Sequence, residues 1–382
     1  MDLSRYRSEF PLVERRTYLI SASLGPLSLR ARAAAEEHLD LWGRLGPEEL
    51  WFDHAMPKLQ GLRESFARLI GAAPDEIAIV PSVSAGLSSI ATCLDLAARP
   101  KIVLSDMDFP SNHYVWRAQA EAGATLDVVA SPDRITLDAE EIASRIDGQT
   151  SLVNVNRVLF ESSFIVDLDP IVTAARAHNA LVCVDDFHGT GVVPIDVHAL
   201  GIDLLVTGVL KWVCGGQGLA LLYCRRDLIE CMRPRVVGWF GTQQPFDFDR
   251  STLRLRDDAR RFEVGTYGLP QAWTAAGALS LILEVGVDAI RERNQELTRA
   301  VIESADLLGL EVLSPRKDEV RGGLVRVRIP GGRERTEELL HELFRADVVL
   351  DSRADTLRIS PHFFNDEADV DRAFDEIGKR LG

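Results

Sequence analysis

Seven short apolar, β-branched runs recur through the first 225 residues: IAIVP (77–81), KIVLS (101–105), TLDVV (125–129), SLVNV (151–155), ALVCV (180–184), DLLVT (203–207) and LALLY (219–223). Between several of them lie stretches such as HYVWRAQAEAG and DPIVTAARAHNA, whose apolar residues return at three- and four-residue steps. The first pattern predicts strands and the second amphipathic helices. Continuous apolar strands alternating with helices predict an α/β fold with a mostly parallel sheet covered on both faces, and a ligand site at the carboxyl ends of its strands. After about residue 270 the pattern changes. One long helix is expected over 271–309, followed by strands LVRVRI and TLRIS and helices TEELLHELFRA and DEADVDRAFDEIGKRL. That reads as a smaller α+β domain, with residues 1–15 packed against it. The expected division is a large domain over 16–265 and a small one made of 1–15 and 266–382. No internal repeat or low-complexity linker separates them, which predicts an extensive shared interface.

Composition narrows the function classes. The 58 acidic and 43 basic side chains give a net charge of −15. An acidic surface without a Lys/Arg-rich run repels phosphate backbones, so a general nucleic-acid partner is excluded. The 46% hydrophobic content supplies a large core and excludes disorder as the main state. Five cysteines, with no CxxC pair, read as reduced thiols. The charged start MDLSRYRSEFPLVERR lacks the apolar stretch of a signal peptide, so the expected location is cytoplasmic. Residues 204–223 test the soluble reading, because Lys211 is their only charge and they have the length of a membrane span. Four glycines interrupt them, and the reading adopted is a strand, a Gly-rich turn and a second strand.

Lys211 in that turn is the most informative residue. An amine in apolar surroundings loses proton affinity, and a neutral amine attacks carbonyls, as Schiff-base chemistry requires. The alternative is a buried stem whose head reaches water. Asp185 ends the strand ALVCV, 26 residues earlier, and the two strand ends place both groups on one edge of the sheet. A carboxylate there can pair with a pyridinium nitrogen or simply cap a turn. The turn PSVSAG (81–86) opens a helix and offers backbone N–H groups to an anion; an ordinary Ser cap would look the same.

Six segments in order, DFPSNHYVW (108–116), VDDFHGTG (184–191), DLLVTGVLKWVCGGQG (203–218), GWFG (238–241), RRFEVGT (260–266) and RISPHFFN (358–365), resemble the class V aminotransferase family of fold-type I pyridoxal-phosphate enzymes. That group includes kynureninases, isopenicillin-N-epimerase-like proteins, cysteine desulfurases and C–S lyases. The resemblance implies pyridoxal 5′-phosphate as cofactor, an amino-acid substrate, and a homodimer with shared active sites. It makes Lys211 the Schiff-base lysine and proton carrier, Asp185 the partner of the ring nitrogen, and His188 the neighbour of the ring hydroxyl. Ser84, Ala85 and Thr207 fall at the phosphate, Phe109 beside the ring, and Gly265 and Thr266 on a segment reaching the neighbouring subunit's phosphate. Arg358 matches the arginine that grips the substrate carboxylate, and its planar fork suits that task. Asn112 is assigned to the substrate side, where His113, Arg157, Trp239 and His362 are further candidates.

Departures limit the carry-over. Desulfurases usually have His before the lysine and Ser or Thr three before it, where this chain has Leu210 and Gly208. They also need a cysteine late in the chain, and none follows Cys231. Kynureninases typically carry Asp at the place of Asn112 and Tyr at that of Leu210. The expected activity is transfer chemistry at the substrate's Cα or Cβ through Lys211, with a lyase or an epimerase as the nearest alternative. Outside that class stand a non-catalytic binding protein that keeps the fold, and a metallohydrolase using Asp185, Asp186, His188 and His198. The spacing of those four fits no firm metal motif, so no metal is expected. A nicotinamide enzyme is disfavoured because no GxGxxG follows a strand.

Overall fold

The computed structural model describes residues 3–382. All seven apolar runs form strands: β1 (Ile77–Val80), β2 (Lys101–Ser105), β3 (Thr125–Val129), β4 (Thr150–Asn156), β5 (Leu181–Asp185), β6 (Leu204–Gly208) and β7 (Ala220–Cys224). They make one sheet in the order β1-β7-β6-β5-β4-β2-β3. Strands β2 to β6 are mutually parallel, while β7 runs antiparallel to both β1 and β6. β1, β4, β6 and β7 are buried at every position, which is why β1, β6 and β7 are almost wholly apolar without alternation, whereas β4 carries the buried polar residues Thr150, Ser151, Asn154 and Asn156. Edge strand β3 has one neighbour and exposes Thr125 and Val128. The run 204–223 resolves into β6, a glycine turn and β7, and among the described residues no single helix is long and apolar enough to cross a membrane.

A second sheet holds β8 (Val325–Arg328), β9 (Asp351–Arg353) and β10 (Thr356–Ile359), antiparallel in the order β9-β10-β8. Val325, Val327, Leu357 and Ile359 are buried in a core shared with helices Val287–Leu307, Gly332–Arg345 and Glu367–Leu381. The N-terminal segment packs beside this part of the chain: Arg7 Nη1 lies 2.6 Å from Asp369 Oδ2, and the Phe10 ring is 4.2 Å from that of Phe364.

One expected element divides. The helix expected over 271–309 is two helices, Leu269–Val285 and Val287–Leu307, bent by 79° at Gly286, whose φ is +85°. The apolar period continues through the glycine, and an internal glycine costs a helix only about 1 kcal/mol, so periodicity reads a single helix. The bend lets the first helix pack on helices Leu29–Arg44 and Met56–Ile70, within the core beside the large sheet, while the second supports the small sheet.

A buried ion pair fixes the segment that leads into the first of those helices. Glu263 accepts from Arg63 Nε (3.1 Å) and Nη2 (2.7 Å), from Ile79 N (2.9 Å) and from the Tyr267 hydroxyl. Both charges are almost completely enclosed. Removing one partner leaves the other unpaired in the interior. Arg63→Met is therefore expected to lower the unfolding free energy by about 3–5 kcal/mol, read from urea denaturation; a loss below about 1 kcal/mol would contradict a buried uncompensated carboxylate.

Candidate active site

Lys211 sits on a tight turn at the carboxyl end of β6. Cys214 N bonds Lys211 O (3.0 Å) and Gly215 N bonds Val209 O (2.7 Å), with Cys214 in the left-handed region at φ +58°. The N-terminal loop lies directly on this turn. Gly25 N donates to Leu210 O at 2.8 Å, and a Cβ on Gly25 would fall 2.2 Å from the Lys211 carbonyl oxygen. Only glycine permits that approach. The backbone of the lysine is thereby clamped from both sides.

Its Nζ lies 2.6 Å from His188 Nε2, 4.1 Å from the centre of the Phe187 ring and 5.8 Å from that of Phe109. Burial lowers the lysine's pKa to about 7; Asp185 opposes the shift, and the positive charges of Arg358 and Arg353 add to it. Burial and the same three cations push His188 well below its usual range, so its ring is neutral at pH 7. With the lysine donating, Nε2 accepts and Nδ1 carries the hydrogen. That buried Nδ1 has no protein partner.

Asp185 ends β5, the strand beside β6. Its Oδ1 accepts from Phe187 N (3.0 Å) and its Oδ2 from Asn112 Nδ2 (3.1 Å). Burial raises its proton affinity, and both donors counter that by favouring the carboxylate. Asn112, expected at the substrate, is instead fully buried, and the same Nδ2 reaches Asn156 Oδ1 at 2.6 Å. It is a positioning residue for Asp185. Behind it, Asp108 accepts from Ser105 N (3.0 Å) and Asn156 N (3.2 Å), and burial pushes its pKa up to about 7.

The phosphate-side residues are arranged differently from expectation. In helix Val83–Ala91 the Ala85 N–H is taken by the Ser82 hydroxyl at 3.1 Å, so the first turn offers an anion the amides of Val83 and Ser84 and the Ser84 hydroxyl. Thr207 is fully buried, and its hydroxyl contacts Asp186 O and Gly208 O, each at 3.4 Å. It braces the turn after Asp185 and does not project from the strand end. Gly208 has a packing reason: a Cβ there would fall 2.3 Å from Cζ of Phe187. The phenylalanine ring occupies the volume that a serine at 208 would need. Gly265 and Thr266 border a cavity of about 130 Å³ with Val80, Pro81, Gly218 and Leu219, at the end of β1.

Arg358 on β10 is buried, with its nearest carboxylate oxygen, on Asp351, 3.7 Å away, and Nη2 3.5 Å from Ala22 O. Its Nε has no partner. A guanidinium held this loosely is prepared for a carboxylate from outside. Other candidates serve the framework. Arg157 is occupied by Asp186 and by the carbonyls of Val193 and Pro194, and His362 Nε2 lies 2.7 Å from Trp212 O. Trp239 stacks with Phe248 in an aromatic cluster, and burial lowers the pKa of the half-buried His113. Asp186 with Thr190, and His198 with Glu76, are likewise engaged separately; among the described residues no group of three or more His, Cys, Asp or Glu side chains is placed to hold a metal. Phe160, whose ring packs edge-on to Phe109, together with Asp351 and Arg353, joins the site without a motif to announce it, and so does Phe187, which lies within VDDFHGTG but carries no assigned role there.

Pyridoxal 5′-phosphate fits this set of groups. There is an amine of lowered proton affinity for its aldehyde, a hydrogen-bonded carboxylate for its ring nitrogen, aromatic rings beside the lysine and a helix N-terminus for its phosphate. His188 Nδ1, Asn112 Oδ1 and Arg358 Nε are all buried polar atoms without protein partners.

The family model described as aminotransferase class-V matches residues 51–372. The chain is 32% identical over 376 residues to YcbU of Bacillus subtilis (strain 168), an uncharacterised aminotransferase, covering 98% of this chain and 97% of the relative. It is 28% identical over 307 residues to a kynureninase of Shouchella clausii (strain KSM-K16), covering 78% and 72%. The structure matches an apo cysteine desulfurase from Thermococcus onnurineus NA1 with a TM-score of 0.89 at 22% identity, over 99% of this chain and 97% of that one, a likeness of fold.

Two outcomes are expected from this geometry. In protein free of cofactor, amine-specific acylation of Lys211, followed by mass spectrometry, should rise with pH to half its plateau near pH 7, against about 10.4 for an ordinary lysine. Gly208→Ser alone should destabilise by about 1–3 kcal/mol through overpacking, and the Gly208→Ser, Phe187→Ala pair should be more stable than the sum of the single effects. Additive melting shifts would mean that the ring does not fill that volume.

Proposed function

The chain belongs to the class-V aminotransferase family, and we propose that within it this protein is a transferase that moves the amino group of an amino-acid substrate at Lys211. It is an enzyme, and its cofactor is pyridoxal 5′-phosphate. When bound, that group supplies an aldehyde for amine exchange and a ring that takes up the electron pair left when a bond to Cα breaks.

The residues divide the remaining work. Lys211 presents an amine that is about half neutral at pH 7, as attack on an aldehyde requires. With the cofactor bound, the Lys211 Nζ would be the group that takes up and returns the Cα proton, and His188 at 2.6 Å would fix its direction. Asp185, held by Asn112 and the Phe187 amide, keeps a proton on the ring nitrogen. Arg358 receives the α-carboxylate and so sets the angle of the Cα bonds. Ser84 and the first turn of its helix receive the phosphate; Gly265 and Thr266 reach the phosphate of a second copy, making a homodimer with shared sites. The observation that carries this reading is the buried Lys211–His188 contact at the carboxyl edge of the sheet, one strand from Asp185.

A lyase remains the second reading, favoured by the similarity to kynureninase, with epimerisation behind it. Persulfide-forming desulfuration is set aside because no cysteine follows Cys231.

Borohydride reduction of the yellow protein, followed by peptide mapping, is expected to put a pyridoxyl group on Lys211 and to put none on a Lys211→Ala variant. Label on another lysine, or no visible cofactor band, would overturn the assignment. With an amino-acid panel, transfer predicts a keto acid and an aminated cofactor; release of ammonia or a sulfur product would move the reading to the lyase.

A further inference from the structure

The small sheet turns its faces to different tasks. Register places Asp351 and Arg326 opposite Arg358, and Arg353 and Arg328 opposite Thr356, so all six share one face while the aliphatic residues fill the other. Four of the six are arginines, on a chain whose net charge is −15. Arg328 is held by Asp355 at 3.1 Å and by Glu311, and Arg326 by Thr356 (2.9 Å) and Glu161 (3.3 Å). Arg358 and Arg353 are held differently. Arg358 is buried and underbonded. Arg353, on the adjacent strand, keeps 44% of its side chain exposed. Asp351 between them is filled: it accepts from Ser23 Oγ (2.6 Å), Ser352 N (2.7 Å) and Arg353 Nη1 (2.7 Å). Both arginines bear on the reacting groups, since each lowers the proton affinity of Lys211 and of His188.

We propose that the substrate carries a second carboxylate, on its side chain, and that Arg353 receives it while Arg358 holds the α-carboxylate. The inference rests on the reading of Lys211 and Arg358 given above and adds the substrate class to it. One arginine is sufficient for an α-carboxylate. A second, on the same face, still partly open to solvent and with only Nη1 engaged by Asp351 and the Ser352 carbonyl, has donors left for a planar anion. Its ion pair with Asp351 fixes the direction of the side chain before substrate arrives, so little ordering remains when the anion binds. Arg353 is thus a specificity-determining residue, and the acidic surface elsewhere makes this face the favoured landing place for a dianion.

The test uses ligands without an amine, so that no turnover intervenes. Calorimetric titration of the holoenzyme with glutarate and with its monoanionic amide, glutaramate, should give about tenfold tighter binding of the dianion. In Arg353→Gln that ratio should fall to within about twofold, whereas Arg358→Gln should weaken both ligands. Equal affinity for the two probes, or a ratio unchanged in Arg353→Gln, would overturn the inference. Borohydride labelling of the same preparations separates the two claims. A labelled Lys211 without dianion preference removes this inference alone, and an unlabelled Lys211 removes the reading beneath it and this inference with it.

Discussion

Desolvation of one amine organises this protein. An ammonium group enclosed by Phe187, Phe109 and the end of an apolar sheet loses its hydration, and its pKa falls to about 7. Everything around Lys211 either enforces that enclosure or limits its cost. The N-terminal loop is laid on the lysine turn through Gly25, and His188 gives the nitrogen a neutral partner that does not restore its charge. Asp185 opposes the fall, so the shift stops where an amine is both nucleophilic and able to carry a proton at neutral pH.

The charge pattern follows from the same enclosure. Burial raises the proton affinity of Asp185, and the two N–H groups that address it, from Asn112 and from the turn that also delivers Phe187, work against that rise by favouring the carboxylate. A buried guanidinium such as Arg358 persists with incomplete pairing, which is costly for stability and useful for recognition. On the proposed reading the large sheet supplies the groups that face the cofactor, and the small sheet those that face the substrate.

Phe187 and Gly208 show why motif positions do not transfer one by one. At 208 the relatives' hydroxyl is absent, and the sequence alone reads this as a loss. In three dimensions it is an exchange of volume: the ring two residues after Asp185 fills the space above the glycine and supplies the apolar wall beside Lys211. Asn112 changes role for a similar reason. It lies in a matched segment, yet its amide points into the buried network behind Asp185.

Sequence by itself determined the seven strands, their parallel α/β character and the lysine turn between β6 and β7, because a strand buried on both faces must be continuously apolar and a lone lysine in such a run is conspicuous. It also brought Lys211 and Asp185 together as candidates, since strand ends of a parallel sheet meet on one edge, while His188 and Arg358 were singled out by the family resemblance. LVRVRI and TLRIS were likewise legible as strands. Only the tertiary structure decided the rest. Where the helix bends at Gly286, which amide of the phosphate turn is already capped, and that Thr207 braces a backbone all depend on neighbours distant in sequence. The same holds for the placing of Asp351 and Arg353 against Arg358 and Lys211. Their side-chain contacts are set by packing between elements, and periodicity within a single segment carries no information about them.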